Sequence, residues 1–447
     1  MSKKKTKVIT VGFVALGCPK NIVDSEKMLA EIVGNGLLLT GDVDNADAVV
    51  INTCGFIAPA KDEAIEAIRE AVNNKRKGNV KKVIVTGCLA ERMGDELLSE
   101  VDGIDAVIGL ASRDSIAKII RKTFSASKPK AWLEQSGSNV TNDRARLLIT
   151  PGHWAYLRIS EGCDHRCAFC TIPAIRGRFR SKPPEEIIAE ANELVSAGTV
   201  ELNIIAQDTA YYGRDLKMKD GLANLLKQLE GIEKLKWTRL MYLYPVGITE
   251  QLIKTISSSE KIVPYFDIPI QHINDTILKK MRRPDTKKRI CELIEKLRKT
   301  IPGTVLRSTV IVGLPGETDE QFAELLDFVN STKFDALGAF KYYPEQGTEA
   351  VEMDNQVPEE VKQSRLERLM LAQQKIAFEK NKTRIGSELL CLIDSVDSTG
   401  NGQGRFYGQA PEIDSICLIE NCSAKTGEFV DTKVIGSKEY DLIVEQI

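Results

Sequence analysis

Cys163, Cys167 and Cys170 stand at C-x3-C-x2-C spacing directly after a strand-like run at residues 154–160. A cubane iron–sulfur cluster usually takes four cysteine ligands, so three thiolates on one short loop leave one iron free to bind something else. Such a loop is a reaction site, not a staple. Structural zinc is the competing reading. It favours two C-x2-C-type pairs, or cysteines with histidine, whereas here one pair has three intervening residues, no partner pair follows, and His165 reads as facing solvent.

Cys18, Cys54 and Cys88 form a second set, each just past the carboxyl end of a predicted strand. In doubly wound sheets ligands bind in the crevice at those ends, so residues far apart in sequence can converge there as a second three-thiolate site. The alternative is three packed core thiols, common in α/β proteins.

These positions need elements to hold them. Residues 1–124 alternate strand and helix patterns, with strands at 8–16, 48–52, 82–86 and 106–108 and helices at 24–33, 59–74, 90–99 and 112–121. That pattern predicts an α/β domain with a doubly wound parallel sheet. Residues 125–150, rich in Ser, Lys, Asn and Gly, read as a linker. Residues 151–382 show six further alternations, with strands at 155–160, 201–206, 239–243, 265–269, 305–312 and 336–342. This is short for eight repeats and predicts an open six-strand partial barrel, closed off by a long amphipathic helix at 361–382 packing through Leu366, Leu369, Met370 and Ile376. Residues 383–447 suggest a small β-barrel.

With 447 residues and ten cysteines, the chain exceeds a single core. The cysteines are thinly spread, favouring metal ligation in a reducing cytoplasm over disulfides. Lys3, Lys4 and Lys5, the apolar run at 8–16 and Gly17-Cys18 imitate a lipoprotein signal, but removing them would delete the first strand. No other run nears the roughly 18 apolar residues of a membrane span. A net charge of −2 names no partner. Cys291, Cys391 and Cys417 read as packed thiols, and Cys422, in a polar loop, as exposed.

The Cys163 loop, with Phe169 as the aromatic of C-x3-C-x-aromatic-C, resembles the radical S-adenosylmethionine (SAM) superfamily. That resemblance implies a cluster on which SAM is cleaved by one electron to a carbon radical. Leu16-Gly17-Cys18-Pro19-Lys20-Asn21, Asn52-Thr53-Cys54-Gly55 and Thr86-Gly87-Cys88 resemble the methylthiotransferases, along the whole chain. This implies a second, auxiliary 4Fe-4S cluster on Cys18, Cys54 and Cys88 beside the radical SAM cluster on Cys163, Cys167 and Cys170, and SAM as both radical source and methyl donor. The chemistry this resemblance implies is sulfur insertion at an unactivated C–H bond, which side-chain acids and bases cannot break, so cofactors must. An external electron donor is implied. Residues at predicted strand ends, Phe169, Gln207, Gln271, Gly313 and Glu317, together with Arg307 inside an apolar strand, are the candidate SAM contacts. Tyr244 and His272 are further strand-end groups. Gly313 to Thr318 also reads as a turn capping a helix, Arg307 as a structural ion pair, and His272 as an interior histidine.

The last segment resembles the TRAM domain, which in many relatives binds RNA. Over residues 383–447 five basic residues face eleven acids. RNA binding leans on basic side chains, so no dedicated nucleic-acid binding is expected, and a basic protein suits the segment better. Cys18 with its flanks, Ile175 to Pro183 and Gln409-Ala410-Pro411-Glu412-Ile413-Asp414 resemble the branch that methylthiolates the β-carbon of an aspartate in small-subunit ribosomal protein S-twelve, free or in its subunit. Ser415 departs from the glycine expected there. Two other functions stand beside this one: the transfer-RNA-modifying branch of the same architecture, and a non-catalytic electron-transfer or cluster-carrier protein.

Overall fold

The computed structural model describes residues 8–133 and 142–447; lysines 3–5 and the middle of the predicted linker lie outside them. The chain divides into two units. One is built from the residues up to Ile149 with Glu161–His165 and Thr171–Lys182, and the other from Thr150–Ser160, Arg166–Cys170 and Pro183–Ile447.

The first unit contains β1 (Thr10–Ala15), α1 (Pro19–Gly34), β2 (Leu38–Thr40), β3 (Ala48–Thr53), α2 (Ala58–Arg76), β4 (Lys82–Gly87), α3 (Cys88–Met93), α4 (Glu96–Glu100), β5 (Ala106–Ile108), α5 (Ile116–Ser125) and β6 (Lys130–Trp132). The strands form one parallel sheet in the order β2-β1-β3-β4-β5-β6. Its central strands are apolar on both faces, as a sheet covered by helices on both sides requires. Val49, Ile51, Val83 and Val85 pack with Ala64, Ile65 and Ile68 of α2. Their neighbours Ala48, Val50 and Ile84 pack with Met28 and Ile32 of α1 and Ile116 and Ile120 of α5. The doubly wound sheet expected from the sequence is therefore present, with two extra strands. β2 and β6 are three-residue edges too short to carry a period, and β6 falls within the predicted linker. Helix α1 starts five residues earlier than its apolar pattern, because Pro19 occupies the first turn, where a missing N–H costs nothing. The third predicted helix breaks at Gly94, where φ is +56°.

The second unit carries β7 (Trp154–Arg158), and the chain then runs through the two-residue strands β8 (Ser160–Glu161) and β9 (Arg180–Ser181), flanking α6 (Ile172–Arg176). There follow α7 (Pro184–Ser196), β10 (Glu201–Ile205), α8 (Gly221–Glu230), β11 (Trp237–Leu240), α9 (Glu250–Ser257), β12 (Ile262–Asp267), α10 (Asp275–Lys280), α11 (Lys287–Thr300), β13 (Val305–Val312), α12 (Asp319–Thr332), β14 (Ala336–Lys341) and α13 (Glu359–Arg384). Six parallel strands make an open sheet, β7-β10-β11-β12-β13-β14. The terminal strands, β15 (Glu388–Val396), β16 (Gly402–Phe406), β17 (Cys417–Glu420), β18 (Phe429–Lys438) and β19 (Asp441–Gln446), close into a barrel. Cys422 is buried in that barrel's core beside Cys391 and Cys417, not exposed. In α13, Leu369 and Ile376 are buried, but Met370 faces out and polar Lys362, Arg365, Gln373 and Asn381 fill the rest of the buried stripe. The helix lies on polar groups, so its burial departs from its apolar pattern.

Polar side chains near the amino ends of the sheet strands hold the barrel. Arg239 and Arg405 grip Glu201 at 2.9 and 2.7 Å, and Arg405 also forks onto Asp394 at 2.7 and 2.9 Å. His153 Nε2 reaches Asp394 at 2.8 Å, and Arg239 donates to the Tyr407 carbonyl at 2.6 Å. Tyr156 donates to Glu412 and Tyr265 to Asp414 at 3.1 and 2.6 Å. Ser415 uses its hydroxyl to accept from Gln409 at 3.1 Å, so the departure from glycine adds a bond within this loop. Removing one partner of a buried ion pair leaves the other charge uncompensated. Glu201→Gln is therefore expected to cost about 3 kcal/mol, read as a lower urea midpoint with unchanged slope.

Candidate functional site

Cys18, Cys54 and Cys88 follow β1, β3 and β4, three neighbouring strands whose ends are in register: Ala15 opposite Asn52, and Thr53 opposite Gly87. Parallel pairing puts all three carboxyl ends on one edge, so the three loops emerge side by side. Two glycines let them close up. Gly17 has φ +97°, and a Cβ there would lie 2.9 Å from the Cys54 Cβ; at Gly87, φ +96°, it would lie 2.3 Å from Asn52 Oδ1. Asn21 stitches the loops together, its Nδ2 donating to the Leu16 and Thr53 carbonyls at 3.1 and 2.9 Å. Asn52 donates to the Asn21 carbonyl and Ser25 Oγ at 2.9 and 2.8 Å.

The thiols of this set sense one another. Burial pushes the Cys54 thiol up against donation from the Phe56 amide, and Cys18 adds to the rise. Burial pushes Cys88 up to about 12 despite the Arg176 charge beside it. Thiols held protonated in this way give up their protons to a metal that takes their place. Among the described residues no three His, Cys, Asp or Glu side chains close on a single-ion site. A cubane spreads its cysteine ligands wider than one ion does, and an all-thiol set on adjacent strand ends suits it. Buried Arg176 supplies a cation: Nη2 lies 3.3 Å from Cys88 Sγ, 2.6 Å from Asn21 Oδ1 and 3.0 Å from Asp24 Oδ2.

The residues of the other cysteine set fall in both units, and each part is held by its own surroundings. In the first unit, Cys163 donates its amide to the Gly177 carbonyl at 3.1 Å, and Asp164 Oδ1 accepts from the Phe179 amide at 3.1 Å. In the second, burial pushes the Cys167 thiol up while the Arg283 guanidinium pulls it down. Arg283 is itself fixed, stacked 3.8 Å from the centre of the Tyr244 ring and donating to the Pro269 carbonyl at 2.8 Å. Ala168 donates to the Met281 carbonyl and accepts from Ala350 at 3.1 and 2.8 Å, and Phe169 packs beside Met281, Leu314 and Tyr342.

The carboxyl ends of β10 to β13 carry the remaining candidates. Gln207 is half-buried past β10. Gln271 has φ +69° and bridges to Val310 past β12, and its buried Oε1 finds no hydrogen-bond partner among the described residues. Gly313 (φ +78°) opens the loop after β13, and Thr318 caps α12 with a capping box, so the turn reading is correct. Two candidates are also bound within the chain. Glu317 is buried, accepting from the Gly313 amide at 2.7 Å and from Arg365 at 3.0 Å; it holds the loop. Arg307 lies near the amino end of β13, paired with Asp267 at 3.0 Å and Asp414 at 3.3 Å, far down the strand from the ends where ligands bind. The ion-pair reading is the one its geometry matches. Sequence reasoning missed Arg176 and Arg283. Each sits among other arginines, at 178 and 180 or at 282, and nothing in composition distinguishes the buried one.

Residues 157–329 match the Radical SAM superfamily, residues 10–109 the Uncharacterized protein family UPF0004, and residues 385–447 the TRAM domain. Similar curated proteins include the ribosomal protein uS12 methylthiotransferases RimO of Bdellovibrio bacteriovorus, 43% identical over 97% of both chains, and Desulforamulus reducens, 44% identical over 98% of this chain and 99% of the relative. That of Geobacter sulfurreducens is 42% identical over 100% of both. In fold, the chain resembles the radical SAM methyltransferase TsrM of Kitasatospora setae, with a TM-score of 0.52 and 14% identity over 77% of each chain. Among the described residues no helix is long and apolar enough to cross a membrane.

His272, beside the Gln271 candidate, is fully buried; its Nδ1 accepts from the Asn274 amide at 3.0 Å and its Nε2 lies 3.9 Å from Glu317. Burial lowers its pKa from 6.5 to about 4, against the pull of Glu324. The folded state therefore holds it neutral. Its contribution is complete above pH 6.5 and is lost as the pH falls toward 4, a loss of roughly 3 kcal/mol over that window. Urea denaturation at stepped pH should show this slope, and His272→Asn should flatten it.

Proposed function

Because the chain belongs to the RimO family of radical SAM methylthiotransferases, we propose that it adds a methylthio group to the β-carbon of an aspartate in ribosomal protein uS12. The observation that carries this reading is the pairing, in one chain, of a C-x3-C-x2-C loop with three thiols at the ends of neighbouring strands. We assign residues 1–124 to the auxiliary-cluster domain, 125–150 to a linker, 151–382 to the radical SAM partial barrel with its long helix, and 383–447 to the TRAM barrel.

When bound, two 4Fe-4S clusters and SAM supply the one-electron cleavage and the methylthio group that no side chain can provide. Cys163, Cys167 and Cys170 would hold one cluster, and Cys18, Cys54 and Cys88 the other. Each set leaves one position without a cysteine. Arg283, held against the Tyr244 ring, sets its positive charge beside Cys167 and opposes the effect of burial on that thiol. Phe169, Gln207, Gln271 and the Gly313 loop line the strand ends where SAM is held, and Glu317 keeps Gly313 in place from below. Reductive cleavage requires an electron from a separate donor protein or reductant, which with six ligand cysteines to keep reduced suits the cytoplasm.

The substrate side is served by charge. On residues 383–447 eight exposed carboxylates face three exposed lysines, and two of the carboxylates, Glu420 and Glu445, are direct neighbours across β17 and β19. Arg405, a buried cation of the segment, is spent on Glu201 and Asp394. Such a surface attracts a basic ribosomal protein and repels phosphate, so the TRAM barrel serves here without gripping RNA.

Two triple variants test the division of labour. Replacing Cys163, Cys167 and Cys170 by Ala should abolish SAM cleavage and product alike, whereas replacing Cys18, Cys54 and Cys88 by Ala should leave SAM cleavage and abolish methylthiolated uS12. Chromatography of the deoxyadenosine product and intact mass of uS12 read the two steps; cleavage surviving the first replacement contradicts the assignment.

A further inference from the structure

We propose that Arg176 is the positioning residue of the auxiliary cluster, donating an N–H to the Cys88 sulfur and thereby raising the cluster's reduction potential. The inference rests on the assignment of a cluster to Cys18, Cys54 and Cys88. Arg176 is 3% exposed, and a guanidinium is taken out of water only where its donors are satisfied. Nη1 forks onto Glu161 at 3.0 and 3.1 Å, and Nη2 meets Asp24 at 3.0 Å. Those two carboxylates would suffice to hold α6 in place. Nη2 nevertheless also lies 3.3 Å from Cys88 Sγ and 2.6 Å from Asn21 Oδ1, the amide that stitches the Cys18 and Cys54 loops. Asp24 has a second cation of its own, Arg113, which leaves Arg176 free to face the sulfur.

A hydrogen bond and a positive charge at a ligand sulfur favour the more electron-rich state of an iron–sulfur cluster. Here the donor is buried, so solvent does not screen it. The same residue reaches toward the other cysteine set within its own unit. Glu161 stands two residues before Cys163, and Gly177, which follows Arg176, accepts the Cys163 amide at 3.1 Å. Arg176 thus grips the auxiliary set by its side chain and the lead-in to Cys163 by both side chain and neighbouring backbone. A merely structural arginine would affect folding alone; one aimed at a sulfur also sets a potential.

The test uses the full chain with Cys163, Cys167 and Cys170 replaced by Ala, so that any reconstituted cluster belongs to the auxiliary set. Iron and sulfide content and an EPR-monitored redox titration are measured for this parent, for Arg176→Gln and for Arg176→Lys. The expected parent binds about four irons per chain. The Gln variant is expected to bind as much, with its midpoint potential shifted downward. The Lys variant, which keeps a cation for Asp24 and Glu161 but loses the fork, should shift in the same direction by less, and it decides the matter if the Gln variant does not fold. A cluster at full iron content with the parent's midpoint in the variants overturns the role of Arg176 alone. A parent that takes up no iron overturns the cluster assignment and this inference with it.

Discussion

Parallel strand pairing is the constraint on which this molecule depends. It places every carboxyl end of a sheet on one edge, so residues distant in sequence share a site without any local motif to join them. Cys18, Cys54 and Cys88 meet this way because β1, β3 and β4 are neighbours in the first sheet. The same constraint in the second sheet sets Gln207, Tyr244, Gln271 and Gly313 past successive strand ends, while Arg307, low on β13, is left to pair with Asp267 and Asp414.

Buried guanidiniums are the second recurring device. Arg176 lies against Cys88, Arg283 against Cys167, and Arg239 and Arg405 close on Glu201. Each offers several fixed donors and keeps its charge at any working pH. Lysine would supply charge without the fork. At the thiols the effect is to oppose what burial does, since burial alone favours the protonated form. At Glu201 it is to fasten the terminal barrel, with its acidic surface, to the sheet.

The cysteines were legible in the sequence because thiol spacing is itself chemistry, and the two sheets because their strands carry a period. What was illegible was mostly pairing. Arg176 and Arg283 look like surface arginines until the fold buries them, and nothing in the sequence shows that Glu317 braces the Gly313 amide. The run from Gln409 to Asp414, which resembled a mark of substrate type, includes the residues that bind Tyr156, Tyr265 and Arg307; its work is to dock the barrel. Cys422 sits in a polar stretch, yet its side chain packs so closely on Gly402 that a Cβ there would lie 2.9 Å away. β2 and β6 had too few residues to show a pattern at all.

The central claim is that this chain marks a ribosomal protein and leaves transfer RNA untouched. Intact-mass analysis of uS12, run beside nucleoside analysis of transfer RNA from cells lacking the chain, tests it most directly. The account predicts that uS12 loses a methylthio group while the RNA nucleosides are unchanged. Loss of a methylthio mark in the RNA with uS12 at its original mass would contradict it.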